Sequence, residues 1–236
     1  MRQGAGLIID AYDWPGGREA VLRFGPDTGP VVALALPPLE EANRTRTFAV
    51  RLLRALAARG IGSILPDLPG TGESLVPLER TSLADWRAAF SAAAVGADYG
   101  AAIRAGALID ADASLKGRWR LAPLDGASLV RELVRVRQAA ARESGETFDP
   151  QSIVVDGPPI AIAGNAIPRA LLRELSAAAP ATAGSIRTVR LESDARDADA
   201  KLPGSALWRR AEPGDDPELA EVLAVDIADW IATCAA

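Results

Sequence analysis

The chain has 236 residues, 49% of them hydrophobic, with 26 basic and 31 acidic residues for a net charge of −5. That is enough chain for one α/β domain with a sizeable core, and with the basic residues spread among the acidic ones and no basic run longer than two, no nucleic-acid partner is expected. A single cysteine, Cys234, excludes a disulfide framework and a thiolate metal cluster, and histidine is absent altogether.

Taken in order, Leu7–Tyr12 and Arg18–Phe24 read as strands around the turn Trp14-Pro15-Gly16-Gly17, a hairpin composition. Val31–Leu36 is an unbroken apolar run, followed by an expected loop from Pro37 to Arg44 and a helix to Arg59. Phe48, Leu52, Ala55 and Leu56 fall on one face of that helix, and Gly60 stops it. A second apolar strand, Ile61–Pro66, runs into Asp67-Leu68-Pro69-Gly70-Thr71-Gly72-Glu73-Ser74. Two apolar strands joined by an amphipathic helix are what a right-handed crossover between buried parallel strands requires.

The rest of the chain continues the alternation. Thr81 or Ser82 with Asp85 forms a capping-box start for an Ala-rich helix, and Ala97–Ile103 reads as a strand entering a helix at Arg104. Trp119–Leu124 is a strand and Ala127–Arg142 a helix with Leu129, Leu133, Val136 and Ala140 on one face. Ile153–Val155 and Ile160–Ile162 are expected to pair as a small hairpin within residues 143–167. A helix at Pro168–Ala178 and a strand at Ile186–Leu191 precede a charged run, Glu192–Pro203, expected to be an exposed loop. Ala206–Arg210 is expected to be the last strand, and Pro217 opens the final helix.

The order of elements and the phrase Asp67-x-x-Gly70-x-Gly72-x-Ser74 resemble the α/β-hydrolase superfamily. Pro37-Pro38-x-Glu40-Glu41-x-Asn43-x-x-Arg46, together with the Asp67 loop and Trp86, is similar to the exosortase A system-associated hydrolases, proteins of bacterial exopolysaccharide and protein-sorting loci. The resemblance implies a single α/β-hydrolase-fold domain over residues 1–236. Its sheet would be mostly parallel, preceded by an antiparallel hairpin, with a minimal lid at 143–167. It also implies a partner protein in a sorting or polysaccharide system.

In that fold the nucleophile sits in G-x-S-x-G, on a tight strand-to-helix turn. The matching residues here are Ala102-Ile103-Arg104-Ala105-Gly106, so Arg104 holds the nucleophile's seat; a guanidinium charged at every accessible pH does not attack a carbonyl. The superfamily's histidine follows the last strand, and the expected loop there, Ala211–Asp216, carries Glu212, Asp215 and Asp216 instead. Loss of the nucleophile or the histidine alone costs about 10⁶ in turnover in the best-studied triad enzyme. Triad catalysis is thereby excluded. Ser74 has no imidazole to take its proton, and Gly70 and Gly72 lack the lysine of a phosphate loop.

Three uses remain for the residues near the elbow. Glu40 or Glu41 acts as a general base or ligand contact, or one of them pairs with Arg104 and is held ionised with a lowered pKa. Alternatively Arg104, at the start of the helix after it, makes a site for a small anionic or sugar ligand, extended by Asn43, Arg44 and Arg46; each of these three also has a structural or solvated reading. Asp125 lines the same cleft or caps the following helix. Trp119, Trp208 and Trp230 read as core, and Trp86 as a residue beside a pocket. No metal or cofactor is expected, nor membrane insertion, since no stretch approaches 18 apolar residues; a soluble, cytoplasmic chain is expected. The favoured reading is a catalytically degenerate binding or accessory protein. The alternative is a hydrolase of an ester or related bond that uses carboxylates such as Glu41 or Asp125 with water.

Overall fold

The computed structural model describes residues 6–210 and 212–235. Ala211, the first residue of the expected post-strand loop, and the first five residues, part of the stretch read for a targeting signal, lie outside them.

Eight strands form one mixed sheet: β1 (Ile8–Trp14), β2 (Gly17–Phe24), β3 (Val31–Ala35), β4 (Gly62–Pro66), β5 (Tyr99–Ile103), β6 (Gly117–Leu121), β9 (Ser185–Leu191) and β10 (Ala200–Leu202). A separate hairpin is made by β7 (Ile160–Ile162) and β8 (Asn165–Ile167). The sheet order is β1-β2-β4-β3-β5-β6-β9-β10. The hairpin β1–β2 joins antiparallel to β4, and every later pairing in the sheet is parallel. The α/β architecture expected from the sequence is therefore present.

Strands β4, β5 and β6 are buried along their whole length, which is why β4 and β5 carry no charged residue, whereas β6 alternates with two buried arginines, Arg118 and Arg120. Successive side chains still point to opposite faces. Val32 and Leu34 join one core with Phe48, Leu52 and Leu56 of α1 (Glu40–Ala58) and Leu223 and Ile227 of α5 (Pro217–Ala235). Ala33 and Ala35 join the other, with Trp86 of α2 (Leu83–Ala93), Leu129 of α3 (Gly126–Glu143) and Leu172 of α4 (Arg169–Ala177). The Ser82–Asp85 capping box at the start of α2 is complete. No helix among the described residues is long and apolar enough to cross a membrane.

Four local expectations need correction. First, α1 begins at Glu40, not after Arg44. The break comes at Leu39, whose φ is 63°, and two acidic residues then open the helix, where its dipole favours them. Second, Ala206–Arg210 is not a strand. Its centre is a 3-10 turn, Leu207–Arg209, and the last strand is β10, inside the charged run expected to be a loop. A three-residue edge strand needs no apolar pattern, and charge on an edge discourages pairing with other chains. Third, Ile160–Ile162 pairs forward with Asn165–Ile167, and the segment before it is a 3-10 turn, Pro150–Val154. Ala163 and Gly164, at φ 47° and 81°, make the two-residue turn that suits a hairpin's twist. Fourth, Arg104 opens a five-residue 3-10 turn, Arg104–Leu108, rather than an α-helix.

Candidate functional site

At the end of β5 the chain turns sharply at Arg104, whose φ of 55° lies in the left-handed region that non-glycine residues rarely occupy. Two residues on, a Cβ added to Gly106 would stand 2.3 Å from the Ala35 carbonyl oxygen. The backbone of the turn is thus pressed against the end of β3, the close approach for which an elbow needs a small residue. Both geometric marks of a nucleophile elbow are present.

The side chain held there is only 4% exposed. Its Nη2 donates to Glu132 Oε2 at 2.6 Å and to Glu41 Oε1 at 3.2 Å, and its Nε to Glu41 Oε2 at 3.4 Å. The guanidinium carbon lies 5.1 Å from the centroid of the Trp208 ring, within cation–π range. Four elements converge: the turn after β5, the first turn of α1, the second turn of α3, and the 3-10 turn after β10. Trp208 thus covers the elbow from the segment after the last strand, where a triad enzyme keeps its histidine.

The pairing of Arg104 with Glu41 is the structural alternative read from the sequence, but the expected lowering of the carboxyl pKa is reversed. Burial pushes Glu41 up, Arg104 opposes it without winning, and Glu132 adds to the rise. Glu40 takes the neighbouring cation: Arg44 Nη2 donates to it at 2.5 Å, and Arg44 Nη1 donates to the Trp208 carbonyl at 3.1 Å, tying α1 to the covering tryptophan. These residues line a cavity of about 360 Å³ with Glu40, Glu41, Arg44, Arg104, Glu132 and Trp208 on its walls.

The other site residues read from the sequence lie elsewhere. Asn43 faces the groove between α1 and α5. Asp125 caps α3, accepting from the Ser128 amide at 2.7 Å, and that bond holds its carboxyl below the usual range. Arg46 donates to the buried Asp67 at 2.7 Å. Trp86 is fully buried, donates to the Pro69 carbonyl, and borders a cavity of only about 50 Å³. The reading of Arg104 as a bare cation at a helix start is not met, since two carboxylates already hold it and no α-helix begins there.

Sequence reasoning missed Glu132 and the orientation of Trp208. The signal for Glu132 was its position between Leu129 and Leu133, a charge at the edge of the buried stripe of α3. Trp208 is buried as expected of a core residue, yet one ring face meets Arg104.

Chemically, the arrangement opposes acyl transfer. Pro37 and Pro38, in the β3–α1 connection that normally contributes an oxyanion donor, have no N–H. Glu41 places negative charge over the elbow, where a tetrahedral intermediate would develop its own. Both Glu41 oxygens face Arg104, which occupies them as hydrogen-bond acceptors.

No family model matches the sequence, and no curated protein matches it. The structure is similar to solved α/β-hydrolases. Est1E from Butyrivibrio proteoclasticus with ferulic acid bound aligns at TM-score 0.64 and 16% identity, over 95% of this chain and 98% of that one. The epoxide hydrolase VrEH1 from Vigna radiata aligns at TM-score 0.60 and 14% identity, over 96% and 98%. A haloalkane dehalogenase loop variant from Bradyrhizobium elkanii aligns at TM-score 0.60 and 13% identity, over 97% of both chains. The chain has the α/β-hydrolase fold.

Proposed function

We propose that this chain is a non-catalytic member of the α/β-hydrolase fold, a binding or accessory protein of an exosortase-linked polysaccharide or sorting system. One observation carries the non-catalytic part: the elbow retains its strained backbone but presents a buried arginine, clamped by Glu41 and Glu132 and covered by Trp208. A fold that hosts hydrolases does not by itself supply a reaction. The exosortase setting is supported by the resemblance of residues 37–46 and 67–74.

The experiment is a screen of purified protein against short-chain esters, thioesters and glycosides, with no turnover expected above buffer. A tagged chain that co-purifies with no protein of such a system from its native host removes the accessory role.

A second reading, a carboxylate-based hydrolase, is favoured by one feature, the burial that raises the Glu41 carboxyl above its ordinary value. Turnover abolished in Glu41→Ala establishes that reading and overturns the first.

A further inference from the structure

Adjoining the Glu40–Arg44 cavity, and sharing Arg104, Glu132, Arg135, Trp208 and Arg209 with it, lies a second cavity of about 400 Å³, outside the C-terminal ends of β5, β6 and β9, where open α/β sheets bind their ligands. We propose that it binds a small phosphate-bearing molecule of sugar-phosphate size. The assignment rests on reading this end of the sheet as a binding site, and names the ligand class that site would take.

Its walls carry five arginines and two carboxylates, in a chain whose overall charge is −5. The local excess of positive charge is therefore opposite in sign to the protein as a whole. Both carboxylates are already committed. Glu132 is bound to Arg104, and Asp194 is bound by Arg190 and Arg196. Among the described residues, Arg131, Arg135 and Arg209 have no carboxylate within ion-pair distance, and Arg131 has only the Ser128 hydroxyl, at 2.8 Å. Clustered cations without counter-charge repel one another, and a bound anion relieves that repulsion.

One of the five is also fixed in direction. Arg196 meets Asp194 in a fork, Nε to Oδ1 at 3.0 Å and Nη2 to Oδ2 at 2.7 Å. These bonds, with the Arg196 amide and Arg190, hold the Asp194 carboxyl far below its usual range, so the fork persists at neutral pH. The choice of phosphate over carboxylate follows from charge. Three guanidinium groups without a carboxylate partner exceed the single charge of a carboxylate, whereas a phosphate monoester brings nearly two charges at pH 7 and three acceptor oxygens. The volume, in the range of small-molecule sites of about 300–1,000 Å³, leaves room for a sugar ring beside the phosphate.

Calorimetric titration of the full chain with inorganic phosphate, pyrophosphate and glucose 6-phosphate, against glucose and glucuronate, tests it. The expected result is saturable glucose 6-phosphate binding that weakens with added salt. Arg131→Ala and Arg209→Ala, both at exposed positions that leave the core intact, should each weaken it about 10-fold. Arg54→Ala, in the α1–α5 groove, should leave it unchanged. Absence of saturable binding by every phosphate probe, equal binding of glucuronate, or an equal loss in Arg54→Ala overturns the assignment. Ester turnover would sink the non-catalytic reading and leave the phosphate result untouched. Silence in both assays would sink only the phosphate site.

Discussion

Arg104 and Trp208, 104 residues apart in the chain, meet in one cavity wall, with the guanidinium carbon over the indole face, 5.1 Å from the ring centroid. The contact closes the elbow on its open side and leaves the cation with two carboxylates, one aromatic face and almost no water.

Removing the cation should therefore be costly and pH-dependent. Arg104→Ala leaves Glu41 without its partner in a mostly buried position, and breaking such a pair costs about 3–5 kcal/mol. Burial already raises the Glu41 carboxyl, and Arg104 is what opposes the rise. A raised carboxyl contributes stability present below its ordinary value of 4.5 and lost as pH rises through the folded value. Without Arg104 the folded value climbs further. Urea unfolding should thus show a larger deficit for the variant at pH 8 than at pH 5, and a deficit independent of pH would contradict the pairing.

The second prediction concerns Asp110, fully buried between Arg118 and Arg120 at 3.7 and 3.8 Å, with no hydrogen bond to either carboxylate oxygen among the described residues. Burial pushes its carboxyl up to about 6 from an ordinary 3.8, the two arginines being too distant to reverse the shift. The folded state therefore binds the proton more tightly than the unfolded one. Stability present below about pH 4 should fall as pH rises to about 6, with a slope of up to about 1.4 kcal/mol per pH unit. Asp110→Asn should not show this component. Its stability relative to wild type should rise across that window and level off above it, and parallel curves would refute the assignment.

Gly106→Ala tests the elbow as a piece of backbone. The new methyl would stand 2.3 Å from the Ala35 oxygen, a collision with the chain of β3 that no rotamer change relieves. A loss of about 3 kcal/mol is expected from the overpacking, whereas Gly→Ala at a site with room for the methyl stabilises by about 0.4–1 kcal/mol. A variant whose Tm is unchanged would mean that the turn is not packed on β3.

The Arg46–Asp67 pair anchors α1 to the loop after β4, with Asp67 2% exposed and also accepting from the Glu73 amide. Arg46→Ala should cost about 3–5 kcal/mol because it leaves a buried carboxylate uncompensated. In a double-mutant cycle with Asp67→Asn, most of that cost should disappear. Additive losses would show that the two residues act independently.

The amino-acid sequence by itself determined everything that depends on local period or on composition. The apolar runs of β3 and β4, the stripe of α1, the Ser82–Asp85 box and the absence of histidine need no partner from elsewhere in the chain, and the spacing Ala102-x-Arg104-x-Gly106 places the arginine at the elbow. The tertiary structure decided the company Arg104 keeps. Glu41 and Glu132 lie 63 and 28 residues away, and which of the chain's 31 acidic residues would reach a buried cation depends on how helices α1 and α3 settle against the sheet. The last strand was hidden for a related reason: β10 is three residues at an edge, held by backbone bonds to β9, and backbone pairing leaves no mark on side-chain pattern.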